Sequence, residues 1–228
     1  MAIVYQEKDF VVLSTQNSKN PKTGDMVQLY ILLKDIAPHE AFKAAKNNLE
    51  SEQSKVCSQC PHLIDGSCYV LWFQGPLSTW KKYKRGGHDN CKLSLNGKNI
   101  RFGAAGNPTK IPVSKVEAIA KQAYQWTGYA HDWLTCDPEY KRFFMASCDN
   151  VEEAKAAQTL GWRTFRVRKP GDTSLLPNEI VCPATQEKWD GEPKTDCAKC
   201  GLCSGISGKG KCSVVVDAHG AKKTNFKG

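Results

Sequence analysis

This sequence predicts an α/β fold: a mainly parallel sheet forming an open or partial (β/α) barrel, with an N-terminal β-hairpin and cysteine-rich metal-binding loops. Three observations carry that expectation. First, from residue 99 onward short runs of branched and aromatic residues alternate with stretches of helical apolar period, the rhythm of βαβ units. Second, those runs number about six, too few for the eight units of a closed barrel. Third, 228 residues that are 40% hydrophobic and 24% charged are enough chain to bury a core.

The elements follow in order. Residues 9–14 and 27–34 read as strands rich in branched residues, and the polar stretch 17–25 turns one into the other. Residues 39–50 suit a short helix leading into a first cysteine-rich segment, 56–98. Residues 99–105 form a strand that ends at Gly106-Asn107-Pro108. Ser114 with Glu117 reads as a capping box, and Val116, Ile119, Ala120 and Ala123 make the apolar stripe behind it. Further strands are expected at 127–131, 143–147, 164–167, 179–182 and 213–217. Asn150 caps a helix that turns Ala154, Ala157 and Leu160 inward and closes at Gly161. One domain is expected: hairpin and helix over 1–55, the first cysteine segment over 56–98, and βα repeats with a C-terminal cysteine loop over 99–220.

Eleven cysteines dominate the chemistry. No apolar run approaches the roughly 20 residues that span a bilayer, and the N-terminus lacks a basic start followed by an apolar stretch. The expected compartment is therefore the cytoplasm, where disulfides rarely persist and clustered cysteines bind metal. The stronger group is Cys197-x2-Cys200-x2-Cys203, with Cys182-Pro183 before it and Cys212 after it. Zinc sites commonly use two separated Cys-x2-Cys pairs. A tight triple with one remote Cys-Pro is the pattern of ferredoxin-type ligation of a [4Fe–4S] cluster. Gly201 and Gly205 let this loop turn and aim N–H groups at sulfur. Zinc (Zn2+) is the alternative, and the remote ligand is either Cys182 or Cys212. The second group is Cys57-x2-Cys60-x7-Cys68 with Cys91 beyond it. It would close a zinc site or a second cluster, with His62 and His88 as substitute ligands. Cys136 and Cys148 read as core thiols. Without metal, the irregular segment 183–211 has little apolar material on which to fold.

Polar residues gather where the expected strands end: Asn107, His131 with Asp132, Ser147 with Cys148, Arg166, Cys182, and Asp217 with His219. Ligand sites of parallel sheets lie beyond the carboxyl ends of strands, so Asn107, His131, Arg166 and His219 are the candidate substrate-binding residues. Cys148 with His131 is a conceivable nucleophile pair. There is neither a phosphate-binding Gly-x4-Gly-Lys-Ser/Thr loop nor a His-Glu-x2-His. The chain carries 32 basic and 23 acidic residues, net +9. Lys81, Lys82, Lys84 and Arg85 stand among Trp80 and Tyr83, and Arg163, Arg166, Arg168 and Lys169 form a second run. Cations bind phosphates and aromatics stack on bases, which makes nucleic acid, or the host machinery that handles it, the expected partner class.

The motifs Cys57-x2-Cys60-Pro…Cys68-Tyr, Arg101-Phe-Gly-Ala-Ala-Gly-Asn-Pro, Trp126-Thr-Gly-Tyr-Ala-His, Cys182-Pro, Cys197-x2-Cys-Gly-Leu-Cys203 and His219-Gly220, over about residues 55–220, resemble a family of uncharacterised cysteine-rich bacteriophage proteins. That resemblance implies the cytoplasm of an infected host. A more distant likeness is to radical-SAM enzymes, which combine a partial (β/α) barrel with a cysteine-bound cluster but space their three cysteines differently. The chain is also similar, in Cys197, Cys200, Cys203 and His219, to tRNA-guanine transglycosylase-like enzymes, which implies a zinc site and base-modifying chemistry. The function classes that follow are a metal-stapled nucleic-acid- or host-protein-binding module and an enzyme working at the strand-end rim.

Overall fold

The computed structural model describes residues 1–16, 20–46, 48, 50–88, 95–186, 193–220 and 222–228. The chain opens with three antiparallel strands: β1 (Ala2–Gln6), β2 (Phe10–Thr15) and β3 (Val27–Leu33). The expected hairpin is β2–β3, with Phe10 opposite Leu33 and Thr15 opposite Gln28. β1 is an addition. Its Ile-Val-Tyr centre has ordinary strand composition, and the charged Glu7-Lys8-Asp9 turns it back onto β2.

Four helices follow: α1 (Pro38–Ala44), the four-residue α2 (Ser54–Cys57) and α3 (Pro61–Ile64), and α4 (Gly75–Lys84). They form the crossover that brings β4 (Asn99–Ala105) parallel to β3. α5 (Val113–Gln122) then leads to β5 (Gln125–Thr127), parallel to β4. The first sheet is therefore mixed, in the order β1-β2-β3-β4-β5. α5 buries Val116, Ile119 and Ala120 as expected. Its N-terminus differs from expectation. Pro112, extended at ψ 140°, takes the cap position, and Ser114 lies inside the first turn without capping it. Glu117 is thereby freed to pair with Arg142 (3.0 Å) and Lys121 (3.3 Å).

The second sheet is parallel throughout. It comprises β6 (Tyr129–Ala130), β7 (Met145–Cys148), β8 (Thr164–Arg168), β9 (Glu179–Val181) and β10 (Ser213–Asp217), in the order β6-β7-β8-β10-β9. Helix α6 (Val151–Thr159) connects β7 to β8, and the Asn150 side chain caps it by accepting from Glu153 N–H at 2.8 Å. Ala154 and Ala157 are buried, whereas Leu160 sits at the C-cap and is exposed. Phe143 and Phe144 precede β7 rather than begin it, with both rings in the core.

Gly128 alone separates β5 from β6. Its N–H donates to the Cys203 carbonyl (3.0 Å) and its carbonyl accepts from Met145 N–H (3.1 Å). A Cβ there would stand 2.5 Å from the Phe144 ring, so no larger residue fits without displacing the core.

One apolar cluster runs across both sheets, from Val11 and Leu29 through Phe102 and Phe144 to Ala146, Cys148 and Trp162. A smaller cluster, Met145, Cys203 and Val214 with Tyr129, Phe165, Cys182 and Leu202 packed on it, holds the C-terminal loop. The alternation of β7 divides the two: Ala146 and Cys148 face α6, and Met145 faces the loop. This loop includes the short α7 (Cys197–Cys200) and joins β9 to β10. It has more anchors than its composition suggests. Cys197 and Ala198 N–H donate to Lys22 and Thr23 carbonyls, and Gly205, Ile206 and Ser207 N–H donate to the carbonyls of Phe143, Lys141 and Arg142. The described part of the segment 183–211, residues 183–186 and 193–211, therefore has backbone anchors besides its cysteines. Among the described residues no helix is long and apolar enough to cross a membrane.

Arg166 is 1% exposed, and Glu179 beside it is fully buried. Arg166 Nε and Nη2 donate to the two Glu179 oxygens at 3.0 and 2.7 Å. Breaking one side of such a pair strands a buried charge, so Glu179→Gln is expected to cost about 3–5 kcal/mol. The urea midpoint measures it. A loss below about 1 kcal/mol would mean that the Ser174 carbonyl and Asp172 already satisfy the guanidinium.

Candidate functional site

Thiols of the two sequence motifs form two groups, each lining its own cavity. In the C-terminal group, Cys182 follows β9 and is pinned by its N–H to the Val215 carbonyl (2.8 Å). Asp196 caps α7, accepting from Lys199 N–H at 2.9 Å. Gly201 then adopts φ +64°, a left-handed turn that bulkier residues resist, and the chain doubles back to Cys203. Cys182, Cys197, Cys200 and Cys203 line one small cavity of about 10 Å³ with Thr127, Leu202 and Val214. Cys212 is not part of that wall, so the structure brings Cys182 to the triple.

Arg163 supports this loop from beneath. Its guanidinium donates to the carbonyls of Leu202 (2.8 Å), Ser204 (2.5 Å) and Cys212 (Nε, 3.2 Å). Burial lowers its affinity for the proton, and the nearby Cys203 and Cys212 oppose that. Among the thiols, burial pushes Cys200 and Cys203 up and Cys197 up to about 11, with neighbouring sulfurs adding to it. Several negative sulfurs in one dry cavity are costly unless a cation joins them.

The second group lies at the carboxyl ends of β4 and β6. Cys57, Cys60 and Cys68 line a cavity of about 60 Å³ with Gly103, Gly106, Asn107, Tyr129 and His131. Cys60 Sγ stands 3.4 Å from His131 Nδ1. Gln53 Nε2 donates to Cys57 Sγ at 3.2 Å. Burial pushes Cys57 and Cys60 up and Cys68 up to about 11. His62 lines this cavity too, and its ring nitrogens face other partners, with Nδ1 2.6 Å from Ser67 Oγ and Nε2 3.0 Å from Asp149 Oδ1. His88 lies beside Tyr83, after α4, and is not on the cavity wall. Cys91, expected as a fourth ligand, lies outside the described residues.

A polar cleft of about 490 Å³ adjoins this cavity and shares His131 with it. Its walls include Ser58, Lys110, Asp132, Ser147 and Asp149. Asp132 accepts from Ser58 Oγ (2.8 Å) and from Thr109 Oγ1 (2.8 and 2.9 Å), and Asn107 Nδ2 donates to Ser58 Oγ (3.0 Å). The rim expected from the sequence thus exists for Asn107, His131, Asp132 and Ser147. Arg166 is not on it: its guanidinium is consumed by Glu179. His219 packs on Tyr69 (5.5 Å between ring centroids), with Nδ1 3.1 Å from the Asp217 carbonyl, and does not line the C-terminal thiol cavity. Cys148 faces α6, so the Cys148–His131 pair is not formed; Cys60 occupies that relation to His131. Cys136 is a half-buried thiol, pushed up to about 12 by burial and then by Asp132.

Two residues missed by the sequence reading lie between the groups. Tyr129 lines the amino-terminal cavity and packs on the cluster that includes Cys203. Arg101 donates to Tyr69 Oη (2.9 Å) and sits near Tyr129 and Cys197. Strand alternation puts Tyr129 on the face of His131. That periodicity was present in the sequence.

The basic runs divide. Lys81, Lys82, Lys84 and Arg85 are exposed on and just after α4, while Trp80 and Tyr83 pack toward the core and Trp80 Nε1 donates to the Leu33 carbonyl. The rings expected to stack on bases are therefore engaged internally. Arg163, Arg166 and Arg168 are buried, which leaves Lys169 as the exposed cation of the second run.

Among the described residues no group of three or more His, Cys, Asp or Glu side chains is already arranged to hold a single metal ion. No family model, curated protein or solved structure matches this chain.

Asp132 ties the first cysteine turn to the end of β4 through Ser58 and Thr109. Asp132→Ala should cost about 1.5–3 kcal/mol, as for hydrogen bonds to a charged group. It should also raise amide exchange around residues 56–60. Unchanged exchange there would show that the turn is held without Asp132.

Proposed function

We propose that this chain is a metalloprotein whose C-terminal loop carries an iron–sulfur cluster, of the [4Fe–4S] type, on Cys182, Cys197, Cys200 and Cys203. One observation carries the reading: a cysteine at a strand end and three from a separate loop line the same cavity. Converging thiolates are what a cubane requires. Arg163 adds a buried positive charge wired to the carbonyls of that loop, which offsets part of the charge that thiolates bring. An all-cysteine ligand set leaves no position for substrate, so the centre serves electron transfer or stability rather than substrate activation. The ten described cysteines are all free, which suits the cytoplasm. On this reading the strands from β3 to β9 make one partial barrel, continuous through Gly128, with the loop covering its inner face.

Zinc is the second reading, favoured by a cavity of only about 10 Å³, near the room one water needs. Iron, sulfide and zinc analysis of anaerobically purified protein separates the two. About four irons and four sulfides in this site support the cluster, and one zinc supports the alternative. Cys200→Ser should lose that metal, whereas Cys212→Ser should keep it. Equal metal content in wild type and Cys200→Ser would remove the site.

For nucleic acid, the favouring observation is the four exposed cations at α4 of a chain of net charge +9. Replacing Lys81, Lys82, Lys84 and Arg85 by Ala should weaken RNA or DNA binding and flatten its salt dependence. Binding that is insensitive to salt would exclude this surface.

A further inference from the structure

We propose that the amino-terminal thiols form a second, separate iron–sulfur centre, ligated by Cys57, Cys60 and Cys68 and completed by the imidazole of His131.

Nitrogen groups stand beside the sulfurs. Cys57 receives the Gln53 amide at 3.2 Å. Cys60 Sγ lies 3.4 Å from His131 Nδ1. Trp72 is 3% exposed, lines the same cavity as Cys68, and its Nε1 has no hydrogen-bond partner among the described residues. A thiol offers a proton, whereas a metal-bound thiolate only accepts. Buried donors beside these sulfurs suit the outer shell that metal thiolates require.

The space is also informative. The chamber of about 60 Å³ has room for several water-sized atoms. A bound group of several atoms therefore fits between the three sulfurs. Small residues, Gly103, Ala105 and Gly106, form the opposite wall.

His131 takes the fourth position on its placement. Among the described residues no further cysteine lines the chamber. Both His62 nitrogens are engaged by Ser67 and Asp149. His131 presents Nδ1 beside Cys60, on the wall shared with the 490 Å³ cleft. Replacing a cysteine by histidine raises a cluster's reduction potential. The two centres would then differ in potential, with Tyr129 between them.

The test uses the full chain, reconstituted anaerobically with ferrous iron and sulfide. Relative to wild type, Cys57→Ser should lose about four irons and four sulfides, and Cys200→Ser should retain that set. Cys200→Ser therefore reports on the C-terminal reading and Cys57→Ser on this one. Should Cys57→Ser fail to fold, pulsed EPR of reduced wild type with ¹⁵N-labelled histidine decides the ligand: a histidine nitrogen coupled to one cluster is expected. Unchanged iron in Cys57→Ser, zinc in place of iron at this site, or no histidine coupling in the wild type would overturn the proposal.

Discussion

Both sheets and the cysteine loop meet at a residue with no side chain. Gly128 stands between β5 and β6, accepts from β7 and donates to Cys203. The Phe144 ring occupies the place a Cβ would take. Because the backbone is pressed against the aromatic core there, Thr127 reaches the C-terminal thiols while Tyr129 and His131 reach the amino-terminal ones. A bulky residue at 128 would push the chain off the core, and β6, His131 and the loop would move together. The geometry of both thiol groups therefore rests on close packing at one backbone position.

Two buried arginines show different ways of keeping a charge inside. Arg166 is matched by the Glu179 carboxylate and adds no net charge to the interior. Arg163 has only carbonyl partners, in the loop that carries the thiols. Carbonyl dipoles satisfy its donors but do not cancel its charge. The interior beneath the C-terminal sulfurs is thus biased positive, which favours an anionic centre above it. The sequence shows both residues as members of one basic run, and nothing local distinguishes their roles.

Much of the fold was legible because period and punctuation agree. The strands at 99–105, 164–167 and 213–217 and the Asn150-capped helix are found close to where branched runs and caps place them. The Ser114–Glu117 box failed because Pro112 was already in the cap position, and a cap depends on where the backbone bends rather than on spacing alone. The thiol groups were legible because Cys-x2-Cys spacing is local. The contribution of Arg101 and the pairing of His131 with Cys60 were not, since they depend on which strands lie side by side. The second basic run was misread because charge counts carry no information about burial.

The C-terminal loop is fastened by backbone hydrogen bonds to Lys22, Thr23 and residues 141–143, and by Arg163, none of which involves sulfur. The turn that bears the thiols is thereby tied to both sheets at once, to the β2–β3 connection on one flank and to the residues before β7 on the other. A displacement of either flank would be transmitted through these backbone bonds to the sulfurs.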